Sequence, residues 1–294
     1  MRLSTSTNIH VFDQGRPRAV SMEDSVRVCA EAGYRFIDAN LCASCRENMP
    51  LTRDDWEQWA HQLRRVGDEA GIRFTQAHAY YGIGARVTPD GVRSDGDQSE
   101  ILMERSIRAA DILGVPWMVV HPLTVRDREM YLSRASMEYN RAYYGRWAEE
   151  FARHHVGMAI ENMSSSAGRR SFSSDPAELK ELIERIDHPM VGACLDTGHA
   201  YMSGIVPDGA ARMLGGHLHA LHIADNHKNA DEHLIPFQGT IDWPAFMRAL
   251  RDIGYQDDFS FEAHMFTGCF PASTQKTLVK FSFELGNYLL KLAE

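Results

Sequence analysis

The chain has 294 residues, a hydrophobic content of 44%, a charged content of 24% and a formal net charge of −9 at pH 7. That length fits one large domain or two ordinary ones. The acidic balance argues against a broad electrostatic surface for nucleic acid or anionic membrane, and no apolar run approaches the ~18 residues that cross a bilayer.

The first part of the chain alternates predicted strands with predicted helices. Ser21 and Asp24 have the spacing of a capping box for the first helix, and Thr52 is placed to cap the second. Apolar residues recur at three- and four-residue steps in the second helix, which Gly71 ends. In chain order the predicted elements are a strand over 3–11, a helix over 21–32, a strand over 35–39, the helix that Thr52 caps, a strand over 74–79, a loop over 82–96, a helix over 100–113 and a strand over 117–120.

The second part continues the same alternation. Asp175 as N-cap and Pro176 in the first turn predict the clearest helix of the chain. Asp242 caps a helix that opens on Trp243, and Ser273 is the predicted N-cap of the last helix. In chain order the predicted elements are a connection over 123–136, a helix over 137–155, a strand over 157–160, a helix over 176–186, strands over 191–195 and 218–223, a helix over 243–253, a strand over 259–261 and a helix over 273–292.

Strict alternation of strands and helices predicts a parallel sheet. Eight strands favour closure into a (β/α)8 TIM barrel over an open, doubly wound sheet. No G-x-G-x-x-G motif follows an early strand, which weakens a dinucleotide-binding interpretation. Because no Pro/Gly/Ser-rich linker interrupts the pattern, we predict a single α/β domain over residues 1–294.

The compartment can also be predicted from the sequence. Residues 1–12 carry one Arg and no long apolar segment, so no secretory signal is expected. Five scattered cysteines favour a reduced, cytoplasmic protein over a disulfide framework. Cys42 and Cys45 have C-x-x-C spacing, but without a second pair or suitably spaced histidines we interpret them as ordinary loop thiols.

Polar residues stand at the C-terminal ends of the predicted strands, where parallel barrels hold ligands. They are His78, His121, Glu161, Asp196, His199, His222 and Glu262, with Asp231 and His233 in the loop after the seventh strand. A single His at a strand end is more often a hydrogen-bonded structural residue, and we interpret His264, Asp38 and Asp225 as structural.

The carboxylates at these strand ends indicate a metal site. Three buried carboxylates close together would have steeply raised pKa values unless a cation neutralised them. Glu161, Asp196, His222 and Glu262 are therefore predicted to share one divalent cation, for which Mn²⁺, Mg²⁺, Co²⁺ or Zn²⁺ is suitable.

Five motifs resemble those of the xylose-isomerase-like TIM barrels, a superfamily that groups sugar isomerases and epimerases with AP endonucleases. They are IEN at 160–162, LDTGHA at 195–200, LHIADN at 221–226, DEHLIPFQGTIDW at 231–243 and FEAH at 261–264. The resemblance implies a (β/α)8 barrel in which Glu161, Asp196, His222 and Glu262 hold one catalytic divalent cation.

The resemblance also implies a reaction. Glu161 and Glu262 would move a proton, one on each face of a sugar-like keto substrate, through an enediolate that the metal stabilises. His199 would contact a substrate oxygen, and the further substrate-binding candidates are His78, His121, His233 and Lys228. The expected partner is a small carbohydrate-like molecule, with a homo-oligomer as a further expectation and no nucleic acid or membrane.

Three alternatives stay open. Ketose 3-epimerases usually carry an Arg shortly after the metal-binding His of strand seven, where this chain has His227 and Lys228. That departure argues against simple epimerisation of a ketohexose. A lyase or dehydratase acting on a keto-cyclitol, dehydroshikimate or a 3-keto-glycoside, which shares the barrel and the metal, is therefore the first alternative. The second alternative is a zinc AP endonuclease. The residues that match its three-zinc site are His78, His121, His199, Asp231 and His233, so Asp231 and His233 are candidate extra metal ligands. The acidic net charge and the absence of an evident intercalating loop argue against a nuclease.

The third alternative is a non-catalytic barrel that binds sugar or metal.

Overall fold

The computed structural model describes residues 1–17, 20–81, 86–88, 91–93, 97–166 and 168–294, and its centre is a sheet of eight parallel strands. The strands are β1 (Arg2–Ser6), β2 (Phe36–Ala39), β3 (Arg73–His78), β4 (Trp117–Val120), β5 (Gly157–Glu161), β6 (Val191–Asp196), β7 (Leu218–His222) and β8 (Asp258–Phe261).

The strands pair in sequence order around a closed barrel. The ladder runs β7-β6-β5-β4-β3-β2-β1-β8. Its two ends are joined by Ile223, whose N–H donates to the Ser260 carbonyl at 2.8 Å and whose carbonyl accepts from the Glu262 N–H at 3.0 Å. The predicted (β/α)8 fold is therefore confirmed.

Helices connect the strands on the outside of the barrel. Within the described residues they are α1 (Met22–Ala32), α2 (Trp56–Ala70), α3 (Asp97–Leu113), α4 (Ser133–Arg153), α5 (Pro176–Ile186), α6 (Thr197–Met202), α7 (Pro207–Leu214), α8 (Trp243–Asp252), α9 (His264–Gly268) and α10 (Gln275–Lys291). Among the described residues no helix combines the length and the apolarity that crossing a lipid bilayer requires.

Three predicted helix caps agree with the structure. The Ser21 side chain accepts from the Asp24 N–H at 3.1 Å, Asp175 accepts from Ala177 N–H at 2.9 Å, and Asp242 accepts from Ala245 N–H at 2.9 Å. Each of these side chains satisfies a backbone donor that the first turn of its helix leaves unpaired.

Two other predicted caps are wrong. Thr52 lies in a 3₁₀ turn over Pro50–Thr52, where its hydroxyl donates to the Met49 carbonyl at 2.8 Å, and α2 begins four residues later. Ser273 lies in the 3₁₀ turn Ala272–Thr274 that precedes α10. In both places a short turn delays the helix, a backbone detail that a polar residue before an apolar run does not specify.

Several boundaries also differ from the prediction. The first strand ends at Ser6 rather than residue 11, α4 begins at Ser133 rather than residue 137, and α6, α7 and α9 were not predicted. The predicted loop over 82–96 lies largely outside the described residues, and its described parts, Arg86–Thr88 and Gly91–Arg93, form a short antiparallel pair.

Alternation along the strands puts the polar strand ends inside the barrel. Val119, Ala159, Cys194 and Ala220 form a buried cluster of their own, apart from the layer between sheet and helices. Because successive strand side chains point to opposite faces, residues two positions further on return to the interior. Those residues, in strand order, are His121, Glu161, Asp196 and His222. Side-chain alternation thus directs these four groups toward the C-terminal mouth of the barrel.

Candidate metal centre and active site

Four side chains from neighbouring strands meet at the C-terminal mouth. They are Glu161 at the end of β5, Asp196 at the end of β6, His222 at the end of β7 and Glu262 directly after β8, and their ligand atoms all lie within 4.8 Å of one another. The structure therefore brings together the four residues that the sequence nominated as metal ligands.

The arrangement of donor atoms fits a divalent cation. His222 Nδ1 lies 3.0 Å from Glu161 Oε1 and 3.3 Å from Glu262 Oε2, so a single nitrogen faces two carboxylates. Glu161 Oε2 and Asp196 Oδ2 are buried and meet no hydrogen-bond donor of suitable geometry among the described residues. Buried acceptor atoms of this kind are costly unless a positive charge is close. Three carboxylates with one imidazole form an oxygen-rich set that suits Mn²⁺, Mg²⁺, Co²⁺ or Zn²⁺.

The charges of the carboxylates depend on their neighbours. Burial raises the pKa of Asp196 to about 6, which His199 only partly offsets. Burial acts in the same direction on Glu161, but His222 and His121 outweigh it and hold the pKa of Glu161 well below its usual value. The pKa of Glu262 is likewise lowered, because His222 and His233 outweigh its burial. The two glutamates are therefore anionic at neutral pH, as metal ligands and proton acceptors need to be.

Asp38 lies beside His222, the imidazole of the candidate metal cluster. Its Oδ2 lies 3.3 Å from His222 Nε2 and accepts a hydrogen bond from Gln76 Nε2 at 2.8 Å. The contact with His222 is an ion-pair distance without ideal hydrogen-bond geometry. It leaves Nδ1 directed at the carboxylates, in the carboxylate–imidazole–metal order that is common around protein metals. The structural interpretation of Asp38 is thus incomplete, because the residue also supports the site.

Replacing Asp38 by Asn is expected to weaken divalent-metal binding about 10- to 100-fold, since a neutral amide supports the imidazole less well than a carboxylate. The measurement is competition with a chelating indicator dye. Asp68→Asn, at an exposed position on α2, is the matched control and keeps the wild-type affinity. An unchanged affinity in Asp38→Asn would contradict the positioning role.

A pair of histidines lies on the other side of Glu161. His121 Nε2 is 2.8 Å from Glu161 Oε2 and 2.8 Å from His78 Nε2. His78, His121 and Glu161 together form a second group whose ligand atoms lie within 4.8 Å of one another. Burial lowers the pKa of His121. His78 Nδ1–H donates to the Ala79 carbonyl at 3.0 Å, so a doubly protonated His78 can also donate a hydrogen bond from its Nε2–H to Nε2 of a neutral His121.

A third polar cluster joins the loop after β7 to the mouth. Asp231 Oδ2 lies 3.3 Å from His199 Nε2 and 3.2 Å from His233 Nε2. The other nitrogen of each ring is paired with a backbone carbonyl, His199 Nδ1 with Asn162 at 2.9 Å and His233 Nδ1 with Glu262 at 2.9 Å. Both rings are therefore fixed with Nε2 directed at the Asp231 carboxylate.

These clusters border one cavity of about 840 Å³. The predicted site residues that line it are His78, His121, Glu161, His199, Asp231, His233 and Glu262. Lys228 is not among the lining residues: its side chain is exposed and its ammonium lies 4.4 Å from the centre of the Tyr201 ring, a cation–π contact.

Arg46, Cys42 and His264 also line the cavity, although Cys42 was interpreted as an ordinary loop thiol and His264 as a structural residue. Arg46 follows β2 in a connection whose charges are typical of solvated loops. Cys42 is a free thiol that contacts Asn40 Oδ1 at 2.7 Å. His264 lies beside His233 with 4.2 Å between ring centres, and burial lowers its pKa to about 4.

Asp225 has the structural role expected of it. Its carboxylate accepts from Trp243 Nε1 at 2.9 Å and from the backbone N–H groups of Phe237 at 3.0 Å and Ile241 at 3.2 Å. These contacts fold the loop that carries Asp231 and His233 back toward the barrel. Both oxygens of the Asp225 carboxylate are engaged in these contacts, and Asp225 is not part of the candidate metal cluster.

Comparison with known proteins identifies the family to which the chain is similar and solved structures that share its fold. A family model described as "Xylose isomerase-like TIM barrel" matches residues 26–281. The uncharacterised protein y4fM of Sinorhizobium fredii (strain NBRC 101917 / NGR234) is 25% identical over 222 residues, which cover 69% of this chain and 70% of that protein.

Solved structures with similar folds include three whose names describe sugar epimerases. D-allulose 3-epimerase from Methylomonas sp. has a TM-score of 0.75 at 15% identity, covering 99% of this chain and 98% of the other. A D-tagatose 3-epimerase-like protein has a TM-score of 0.72 at 21% identity, covering 98% and 99%. The 3-keto-D-glucoside 4-epimerase YcjR from E. coli has a TM-score of 0.71 at 15% identity, covering 98% and 99%. At these identities the similarity establishes a shared fold.

Proposed function

The chain belongs to the xylose isomerase-like TIM barrel family, and from this premise we propose that it is a divalent-metal-dependent isomerase or epimerase of a sugar or sugar-like keto compound. The observation that carries the proposal is the meeting of Glu161, Asp196, His222 and Glu262, whose ligand atoms lie within 4.8 Å of one another and whose two glutamates line a large cavity. The names of the structural neighbours support the same reaction class, since they describe epimerases of keto sugars and of a keto-glucoside.

The two glutamates are the proposed acid and base. A divalent cation held by the four residues would polarise a substrate carbonyl and so acidify the neighbouring C–H group. Glu161 and Glu262 both line the cavity. Their lowered pKa values keep both carboxylates ionised at neutral pH, and an ionised carboxylate can accept a proton. One removes the proton from one face of the substrate carbon, and the other returns a proton to the opposite face.

His199 is the proposed contact to a substrate oxygen. Burial alone would lower its pKa, but the anionic Asp196, Asp231 and Glu161 hold the pKa of His199 well above its usual value. Its Nδ1–H donates to the Asn162 carbonyl, which fixes the ring and leaves the Nε2–H at the cavity wall beside Asp231 Oδ2, where a substrate oxygen would share or replace the Asp231 contact. His78, His121 and His233 border the same space and are proposed to contact substrate hydroxyls, whereas the substrate-binding role of Lys228 stays a prediction.

Solvent deuterium exchange tests the proposal. The Mn²⁺-loaded protein in D₂O is expected to exchange the C–H beside the carbonyl of at least one compound in a panel of free ketohexoses and a 3-keto-glucoside, as measured by NMR. Exchange with a mass-neutral product indicates an isomerase or epimerase. Loss of water or of a leaving group would instead identify the lyase. No exchange with any compound of the panel would contradict the proposed enolisation.

A zinc phosphodiesterase acting on abasic DNA is the second candidate. It is favoured by the two further clusters, His78 with His121 beside Glu161, and Asp231 between His199 and His233. The formal net charge of −9 opposes it, because DNA binding gains most of its affinity from cationic contacts to phosphates. Cleavage of an oligonucleotide with one abasic site by the zinc-loaded protein would select this candidate.

A further inference from the structure

The cavity is much larger than a free keto sugar. The roughly twelve non-hydrogen atoms of a hexulose, at no more than the ~30 Å³ that one liquid water occupies, fill about 360 Å³ at most. The cavity holds about 840 Å³, a volume typical of sites for larger, drug-sized ligands. More than half of it therefore lies beyond a sugar that is bound at the metal cluster.

The outer part of the cavity has an apolar wall. Its residues follow β1 and β2 instead of lying at the inner strand ends, and they are Val11, Phe12, Pro17, Val20 and Met49. None of the five is buried, so their apolar surface faces the space of the cavity. Apolar side chains that line a cavity without covering one another usually mark the position of an apolar ligand group.

The part of the wall around Phe12 and Pro17 is fixed to the rest of the barrel. Phe12–Asp13 and Arg16–Pro17 form an antiparallel pair. The Gly15 N–H donates to the Gly268 carbonyl of α9 at 2.8 Å, which ties the turn between them to that helix. The Phe12 ring lies against His264, with 5.7 Å between ring centres. A wall held in this way is preorganised and loses little conformational entropy when a ligand binds.

We propose that the natural substrate carries an apolar substituent, aryl or alkyl, at the end of the sugar that lies away from Glu161 and Glu262, and that this substituent occupies the outer wall. The inference rests on the proposed function, which places the sugar at the metal cluster. A free sugar would leave the five wall residues in contact with water, whereas an apolar substituent removes their surface from it.

Calorimetric titration of the Mn²⁺-loaded protein with methyl β-D-glucopyranoside and phenyl β-D-glucopyranoside tests this. The two probes share the sugar and differ only in the substituent. We expect the phenyl glucoside to bind at least about tenfold more tightly than the methyl glucoside. Val20→Asp should reduce this ratio to about threefold or less, because a carboxylate in the wall opposes burial of the ring.

Val206→Asp is the matched control, because Val206 is 55% exposed and does not line the cavity; it should keep the wild-type ratio. If Val20→Asp fails to fold, as judged by thermal unfolding, Met49→Glu at a position that is 38% exposed serves instead. Equal affinities for the two glucosides, no binding of either, or an undiminished ratio in the folded wall variant would each overturn the inference.

The experiments can contradict the proposed reaction and the proposed apolar substituent independently of each other. Deuterium exchange of a ketohexose together with equal affinities for the glucosides removes the apolar substituent and leaves the enolising enzyme. A strong preference for the phenyl glucoside without exchange in any keto compound removes the proposed reaction and leaves the apolar binding wall.

Discussion

Glu161→Gln and Glu262→Gln are each expected to lower kcat by about 10²- to 10⁴-fold, the range in which a positioned acid or base contributes to proton transfer. Glutamine keeps the size of the side chain and one oxygen atom, but it cannot accept a proton at neutral pH. Both positions are at the mouth of a barrel whose core lies below them, so we expect circular dichroism and thermal unfolding close to wild type.

The measurement must separate proton transfer from metal binding, because both glutamates belong to the metal cluster. Turnover is therefore measured at saturating Mn²⁺, with the bound metal determined in the same samples. Glu181→Gln, at an exposed position of α5, is the matched control and retains full turnover. Near-normal turnover in either metal-saturated site variant would remove that glutamate from the proposed chemistry.

Exhaustive chelation is expected to abolish turnover, and addition of a divalent cation should restore it. The metal should also stabilise the fold, because it offsets the repulsion between Glu161, Asp196 and Glu262. At a free metal concentration 100-fold above Kd, the free energy of unfolding rises by about 2.7 kcal/mol, which corresponds to a Tm increase of about 4 °C for a protein of this size.

Asp196→Asn provides the control for that experiment. Its Oδ1 caps α6 by accepting from the His199 N–H at 2.6 Å, and an asparagine oxygen can keep this contact. The variant loses one anionic ligand, so both the rise in Tm and the restored turnover should be reduced strongly. Full activity after chelation, or the same Tm shift in Asp196→Asn as in wild type, would contradict metal binding at these residues.

The sequence predicted the barrel and the meeting of the metal cluster well because both depend on simple periodicities. Alternation of strands and helices leaves few topologies, and a period of two along each strand decides which side chains enter the interior. Glu161 stands two residues after Ala159 and His222 two residues after Ala220, so their shared inward direction can be obtained by counting. The resemblance of the motifs to a family added the order of the ligands.

Other features depend on how distant segments approach each other, which periodicity does not specify. Asp38 on β2 reaches His222 on β7 across the barrel interior, and Arg46 reaches the cavity from a connection that looks solvated. The turn at Gly15, between the wall residues Phe12 and Pro17, is tied to Gly268, near the other end of the chain. α6 was not predicted because its six residues include Gly198 and are too few for a clear helical pattern.

Four predictions from the sequence are not tested by the structure. They are the single-domain organisation over residues 1–294, the catalytic and binding roles of individual residues, the cytoplasmic location, and assembly into a homo-oligomer. Size-exclusion chromatography with light scattering addresses the last of these, and it can be performed on the sample that is used for metal analysis.

The most direct measurement is the number and position of divalent ions in the folded chain, from native mass spectrometry together with anomalous diffraction of Mn²⁺-loaded crystals. We predict one tightly bound ion per chain, in contact with Glu161, Asp196, His222 and Glu262. An ion-free cluster at saturating Mn²⁺, with those four side chains paired only to one another, would contradict the metal-dependent reaction, and three tightly bound zinc ions would favour the phosphodiesterase instead.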